Sequence, residues 1–193
     1  MTLPDAQALT AQTLRDPRGA ARTLLALRLN TSVLWPALAL IAVLNAVLHG
    51  FTLLTLPSPQ MLPGVLGSPL LFALFLAGGM VISTFLLTWI GQALGGKAQL
   101  DEILVLVVWV QMLRLALQAV VVLLYFVLPG LADLAAIVAG IFGLWIMINF
   151  MDEAQGFGSI GKSILVLVLA TLGVGFGLSV FLLLLGATAM GLS

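Results

Sequence analysis

The sequence predicts an all-α polytopic membrane protein with five transmembrane helices and a short N-terminal amphipathic helix. Of its 193 residues, 62% are hydrophobic and only 7% are charged, whereas a soluble domain carries about 25% charged residues. The mean hydropathy is +1.26, and several apolar runs are long enough to cross a bilayer core of about 30 Å. We therefore divide the chain into a cytoplasmic N-terminal segment, residues 1–30, and a five-span membrane domain, residues 31–193.

The N-terminal segment contains the signal for a short helix. Asp16 followed by Pro17 is typical of a helix start, with Asp as the N-cap and Pro at the first helical position. Arg18 and Arg22 then fall four residues apart, opposite an apolar side. We interpret residues 17–29 as an amphipathic helix on the membrane surface, with both Arg side chains near anionic headgroups. The alternative is a frayed lead-in to the first span.

The five predicted spans follow from the apolar runs and from the residues that interrupt them. Gly95 and Gly96 end the second run, and Pro129-Gly130 predicts a tight turn that makes the third and fourth spans neighbours. The predicted spans are residues 33–56, 70–94, 103–128, 131–151 and 164–190.

The basic residues indicate one orientation in the membrane. Four Arg residues precede the first span, Lys97 lies in the second loop and Lys162 in the fourth, whereas the first and third loops and the C-terminal tail contain no Lys or Arg. The positive-inside rule then predicts a cytoplasmic N-terminus and an external C-terminus. Arg outnumbers Lys five to two, which favours the cytoplasmic (inner) membrane of a bacterium with a GC-rich genome.

The third predicted span carries a polar face within the membrane. Gln111, Arg114 and Gln118 are spaced i, i+3, i+7 and therefore share one side of a helix. Arg114 lies about 17 Å inside the span, where a guanidinium costs at least about 2.5 kcal/mol without a partner or a route to water.

Two roles for Arg114 follow from that cost. In the functional one, the charge marks a path for a substrate or an ion. In the structural one, the side chain extends towards the cytoplasm and meets Asn149, Asp152 or Gln92. We favour the structural role because no acidic residue lies deep in another span.

Small residues in the last two spans indicate close helix packing. Ala136, Gly140 and Gly143 are spaced along the fourth span, and Gly173 and Gly177 along the fifth. Such spacings let helix backbones approach closely in lipid. We favour contacts within one chain, with the seam of a dimer as the alternative.

The segment from Gly156 to Ser163 matches the P-loop pattern G-x-x-x-x-G-K-[ST] letter by letter. A P-loop requires a strand before the glycines and a helix after them, but here a membrane span comes first. We therefore expect a flexible turn, a helix that starts at Ser163, and no nucleotide binding. A helix N-terminus beside Lys162 can instead meet a lipid phosphate at the cytoplasmic surface.

Few residues are available for catalysis or for metal binding. The chain has no Cys and one His, so a zinc site built from these ligands is not expected. His49 and Asn45, four residues apart, are interpreted as an interhelical hydrogen-bonding pair. The acidic residues lie at the ends of the spans, and the net charge is zero. We therefore expect no enzyme, no cofactor and no nucleic-acid partner.

Two segments resemble the bacterial branch of the YIP-one family, named for Ypt/Rab-interacting proteins. One runs from Ile90 through Gly95-Gly96-Lys97 to Gln111, and the other from Phe142-Gly143 to Lys162. The resemblance covers roughly residues 15–190 and implies five spans, a cytoplasmic N-terminus and no enzymatic activity. Eukaryotic relatives bind Rab GTPases, but this chain lacks the Asp-Leu-Tyr-Gly-Pro motif of those relatives, so Rab binding is not carried over.

These observations lead to two functional hypotheses. The first is a scaffold or accessory factor for other membrane proteins or for membrane organisation, in contact with membrane lipids, other integral membrane proteins or a second copy of itself. The second is a lipid or small-solute carrier that uses the polar face around Arg114.

Overall fold

The computed structural model describes residues 5–55 and 69–189, and every regular element in these two ranges is an α-helix. The helices are α1 (Ala6–Arg15), α2 (Pro17–Ala26), α3 (Thr31–Thr55), α4 (Pro69–Ala93), α5 (Leu100–Val127), α6 (Pro129–Gln155) and α7 (Ile160–Ala189). Helices α3 to α7 are long and apolar enough to cross a membrane. The predicted fold class is therefore confirmed. The predicted first loop, residues 57–69, lies almost wholly outside the described residues, as does the predicted end of the fifth span.

The N-terminal segment forms two helices where the sequence analysis predicts one. Helix α2 begins as predicted, with Pro17 at its first turn and the Asp16 carboxylate accepting a 2.9 Å hydrogen bond from the Gly19 amide. Its apolar side is covered by protein, because α2 packs on α5 and α6. Ala20 and Ala21 are fully buried there. The apolar face assigned to the membrane surface is thus part of the protein core.

The five long helices form a ring. Going round it, α3 packs on α4, α4 on α7, α7 on α6, α6 on α5 and α5 on α3, while α4 and α5 also touch each other. The turn between α5 and α6 produces the neighbouring pair that Pro129-Gly130 predicts. Consecutive long helices run in opposite directions. Helices α3, α5 and α7 therefore begin at one end of the bundle, where α4 and α6 end.

We call that end, which also holds α1 and α2, the charged end, and the opposite one the far end. Five consecutive residues of α5, from Ile103 to Val107, are buried at the charged end, which requires neighbours on all sides of the helix. Towards the far end the apolar side chains of α6 and α7 are mostly exposed. The bundle is therefore tightly packed at its charged end and open at its far end.

Candidate functional site

At the charged end, the side chain of Gln155, the last residue of α6, links neighbouring helices. This side chain is only 1% exposed. Its Nε2 donates to the carbonyl of Leu87 in α4 at 3.2 Å, and its Oε1 accepts from the amide of Ala98, also at 3.2 Å. The main-chain carbonyl of Gln155 accepts from the Lys97 amide at 3.1 Å. One residue thereby joins α6 to α4 and to the turn that leads into α5.

Two glycines make room for Gln155. A Cβ on either Gly91 or Gly96 would overlap the Gln155 side chain. Between them, Gly95 has a φ of +90°, a conformation that L side chains rarely adopt. The Gly96 amide donates to the Gly91 carbonyl at 2.8 Å and closes the turn. The glycines at the end of α4 therefore serve a contact with α6 as well as a turn.

Asp152, one turn before Gln155, connects three helices. Its Oδ2 lies 2.7 Å from a guanidinium nitrogen of Arg18 in α2. Its Oδ1 accepts from the Ser159 amide at 2.8 Å and lies 3.5 Å from the hydroxyl of Ser163 in α7. The next residue, Glu153, pairs with Arg22 at 3.2 Å. The Arg side chains that the sequence analysis places beside lipid headgroups thus bind carboxylates of α6.

The glycine-rich segment after Asp152 connects two helices. The element before it is α6, not a strand, and α7 begins at Ile160, three residues earlier than the predicted start at Ser163. Ser163 lies within the first turn of the helix, and its amide and its buried hydroxyl both donate to the Ser159 carbonyl at 3.3 Å. Lys162 lies with its Nζ 3.5 Å from the Leu94 carbonyl and 5.7 Å from the centre of the Phe157 ring.

Arg114 does not reach any of the three partners expected for it. Asn149 donates to the carbonyl of Trp145 in its own helix, Asp152 binds Arg18, and Gln92 donates to the Ala98 carbonyl. These groups lie near the charged end. Arg114 is instead about 14 residues into α5, or about 21 Å at 1.5 Å per residue, and it is exposed there.

Arg114 lines a cavity of about 240 Å³ together with its two polar neighbours on α5, and with residues of α3, α4 and α7. The structure brings Gln111, Arg114 and Gln118 to one site, and it leaves Asn149 outside. The complete lining is Asn45, Phe72, Phe75, Leu76, Gly79, Met80, Ser83, Gln111, Arg114, Gln118 and Leu178. We call this space the Arg114 cavity.

Asn45 and Ser83 are polar lining residues that the sequence analysis did not connect with Arg114. Asn45 donates to the Ile41 carbonyl at 2.9 Å and Ser83 to the Met80 carbonyl at 2.8 Å, each within its own helix. Asn45, expected with His49 to hydrogen-bond to another helix, thus donates within α3 instead. Each of the two residues lies about 14 positions from the start of its helix, as Arg114 does. This equal depth in neighbouring antiparallel spans is the feature of the sequence that groups Asn45 and Ser83 with Arg114.

The small residues of α6 and α7 have different surroundings. A Cβ at Gly173 would lie 2.8 Å from a methyl of Leu86 in α4, and one at Gly177 would lie 3.9 Å from a methyl of Ile82. Gly173 and Gly177 thus face α4 inside the chain. At Gly140 and Gly143 a Cβ would meet no atom within 4 Å, so these glycines of α6 face open space.

Comparison with known proteins places the whole arrangement in one family. A family model described as the Yip1 domain matches residues 11–184, a range that includes α2 to α6 completely, half of α1 and most of α7. No curated protein and no solved structure matches the chain.

Proposed function

The chain belongs to the Yip1 family, and on that premise we propose that it is a non-enzymatic integral membrane protein that serves as a scaffold or accessory subunit for other membrane proteins or for membrane organisation. Its surroundings are membrane lipids, and its partner is a transmembrane helix of another integral membrane protein or of a second copy. The observation that carries this proposal is the uncovered face of α6 along Ala136, Gly140 and Gly143.

Among the five long helices, α6 is the least covered by the rest of the chain. Only 11% of its most apolar stretch is buried, against 28% for α3 and for α5. Ala136, Gly140 and Gly143 lie along it with nothing within 4 Å of either glycine's Cβ position, and large apolar side chains such as Ile137 and Ile141 are exposed beside them. Small residues next to large ones suit the close approach of a second membrane helix.

The polar groups of the charged end support a structural role rather than catalysis. Asp152, Gln155 and Ser163 are buried, and each has hydrogen-bond partners within the chain. Among residues 5–55 and 69–189, no group of three or more His, Cys, Asp and Glu side chains is placed to hold a metal ion. These groups hold the helices together.

We place the charged end on the cytoplasmic side and the C-terminus outside, in the inner membrane of a bacterium. The support is the distribution of Lys and Arg, because Lys97, Lys162 and the four N-terminal Arg residues all belong to the charged end. Basic residues beside the spans are retained on the cytoplasmic side.

The experiment is extraction of the protein from its own membrane in native nanodiscs, followed by mass spectrometry of the proteins retained. We would compare wild type with Gly140→Leu, which fills the uncovered face of α6. Gly175→Leu is the matched control, because Gly175 on α7 is also exposed and its Cβ position also has no atom within 4 Å. We expect wild type and Gly175→Leu to retain one stoichiometric membrane-protein partner, and Gly140→Leu to lose it.

Two results would contradict the scaffold proposal. One is a wild-type chain that emerges alone from the membrane. The other is a partner that both substitutions leave bound, because the face of α6 would then play no part in holding it. Leu is a better helix former than Gly, so loss of the fold is not expected to confuse the comparison.

A lipid or small-solute carrier is the second candidate, and the Arg114 cavity is the observation that favours it. The cavity has a charge and amides in the middle of the spans, where a carrier needs a binding site. Reconstituted into liposomes, a carrier loses transport when Arg114→Leu is introduced while the helical fold is kept. Equal transport by wild type and variant would exclude the carrier.

A further inference from the structure

The Arg114 guanidinium has no partner within the part of the chain that the structure describes. No hydrogen bond and no ion pair joins it to residues 5–55 or 69–189. All seven acidic residues fall in these ranges: they lie in the N-terminal segment, in the first turn of α5, in the second turn of α6 (Asp133), or in the last turn of α6. The exposed Arg114 cation, halfway along α5, is therefore left without a counter-charge from its own chain.

The groups around Arg114 suit a negatively charged ligand. The side-chain amides of Gln111 and Gln118 make no hydrogen bond to described residues, and their position on the same face of α5 directs them with Arg114 to the cavity. They add N–H donors beside the guanidinium, whose planar fork matches the oxygens of a phosphate or a carboxylate. No carboxylate lines the cavity to compete.

The rest of the lining suits an apolar body attached to that anion. Phe72, Phe75, Leu76 and Met80 of α4 and Leu178 of α7 line the same cavity. Its volume of about 240 Å³ leaves room for several water molecules. That space admits the head of a ligand, and the apolar walls suit the chain that follows the head.

We propose that the Arg114 cavity is a binding site for the oxyanion of a membrane amphiphile, either the phosphate of an anionic phospholipid or the carboxylate of a fatty acid. Arg114 neutralises the charge, and Gln111 and Gln118 donate hydrogen bonds to the oxygens. Phe72 and its apolar neighbours contact the first carbons of the chain. This site does not depend on the scaffold role and is the binding step that the carrier alternative requires.

The test is native mass spectrometry of the purified full chain in a non-ionic detergent. The probes are phosphatidylglycerol, oleate, phosphatidylcholine as the zwitterionic control, and inorganic phosphate. We expect wild type to retain one phosphatidylglycerol or one oleate, and Arg114→Gln to weaken that binding about tenfold or more, as loss of a charged hydrogen bond does. Lys97→Gln is the matched control, because it removes an exposed cation at the charged end, and we expect it to change the affinity by less than about twofold.

The outcomes separate the ligand sources and the failure of the proposal. Retention of phosphatidylglycerol but not of oleate identifies a phosphate, and the reverse identifies a carboxylate. Displacement of either lipid by inorganic phosphate shows that the free oxyanion is sufficient. Equal retention of phosphatidylcholine and phosphatidylglycerol overturns the proposal, as does equal binding by wild type and Arg114→Gln.

A second variant covers the case in which Arg114→Gln does not fold. Circular dichroism and size-exclusion chromatography would detect that failure. Gln118→Leu keeps the charge and removes one amide donor, and we expect it to weaken phosphatidylglycerol binding several-fold, by the loss of one hydrogen bond to a charged group. The proposal would also be overturned if Gln118→Leu bound phosphatidylglycerol with unchanged affinity and the protein retained anionic and zwitterionic lipids equally.

Discussion

The side chain of Gln155 in α6 lies against Gly91 in α4 so closely that a Cβ at position 91 would overlap it. The contact brings the amide of Gln155 within reach of the Leu87 carbonyl, one turn earlier in α4. A buried amide whose donor and acceptor are both satisfied stabilises the packing of the helices that it joins. Gly91 is therefore a glycine because of Gln155, and not because of a turn.

We expect Gly91→Ala to destabilise the protein, because the added methyl forces Gln155 away from its partners. Overpacking of this kind costs about 1–3 kcal/mol, and an unsatisfied buried amide adds about 1–3 kcal/mol. Gly78→Ala on the same helix is the control, since a Cβ at that position meets no atom within 4 Å. Thermal unfolding in detergent should show a lower midpoint for Gly91→Ala and an equal or higher one for Gly78→Ala. Equal midpoints for the two variants would contradict this account.

The Gln155 contact also shows where sequence reasoning stops. The lengths and order of the spans follow from the hydropathy pattern, and so does the shared face of Gln111, Arg114 and Gln118, since helical spacing is a local property. A polar residue after an apolar run, however, is interpreted as part of a solvent-exposed loop. Nothing near Gln155 in the sequence indicates that two glycines in another helix leave space for it.

The same limit applies to Arg114 and to α1. The sequence favours a partner for Arg114 at the charged end, because a cavity between four helices cannot be predicted from helical spacing. No helix is predicted for residues 6–15 either, because the attachment of α1 depends on the hydrogen bond between Thr13 and Trp109 of α5. Both outcomes depend on contacts between distant parts of the chain, which local patterns do not record.

The two ion pairs between α2 and α6 should contribute unequally to stability. Asp152 is 5% exposed and also accepts from the Ser159 amide, whereas Glu153 is 25% exposed and its partner Arg22 is 61% exposed. We expect Asp152→Ala to cost about 2 kcal/mol or more, because it leaves the Ser159 amide without its partner. We expect Glu153→Ala to cost less than about 1 kcal/mol, as exposed pairs do. Unfolding midpoints of both variants measure the difference, and an equal loss would show that the Asp152 contacts add nothing beyond a surface pair.

Helix α1 is attached to α5 through one buried hydrogen bond, from the Trp109 indole nitrogen to the Thr13 hydroxyl at 3.0 Å. Thr13→Val keeps the shape of the side chain and leaves the indole N–H without an acceptor, at a cost of about 1–3 kcal/mol. Thr10→Val is the matched control, because the Thr10 hydroxyl bonds only to the Ala6 carbonyl of its own helix. We expect faster amide hydrogen exchange in residues 9–15 of Thr13→Val, by about tenfold for each 1.4 kcal/mol lost. Exchange that is equally fast in both variants would argue against this attachment.

The proposed orientation can be tested with single cysteines, because the natural chain contains none. Lys97→Cys places a thiol in the exposed turn between α4 and α5, and Gly130→Cys places one at the exposed start of α6, at the far end. A membrane-impermeant maleimide applied to intact cells should label Gly130→Cys and should reach Lys97→Cys only after permeabilisation, because the basic end is held in the cytoplasm. The reverse pattern would invert the topology and place Arg18, Arg22 and α1 outside the cell. Labelling of both positions in intact cells would indicate that the protein inserts in both orientations. The positive-inside rule does not predict this for a chain whose basic residues beside the spans all lie at one end.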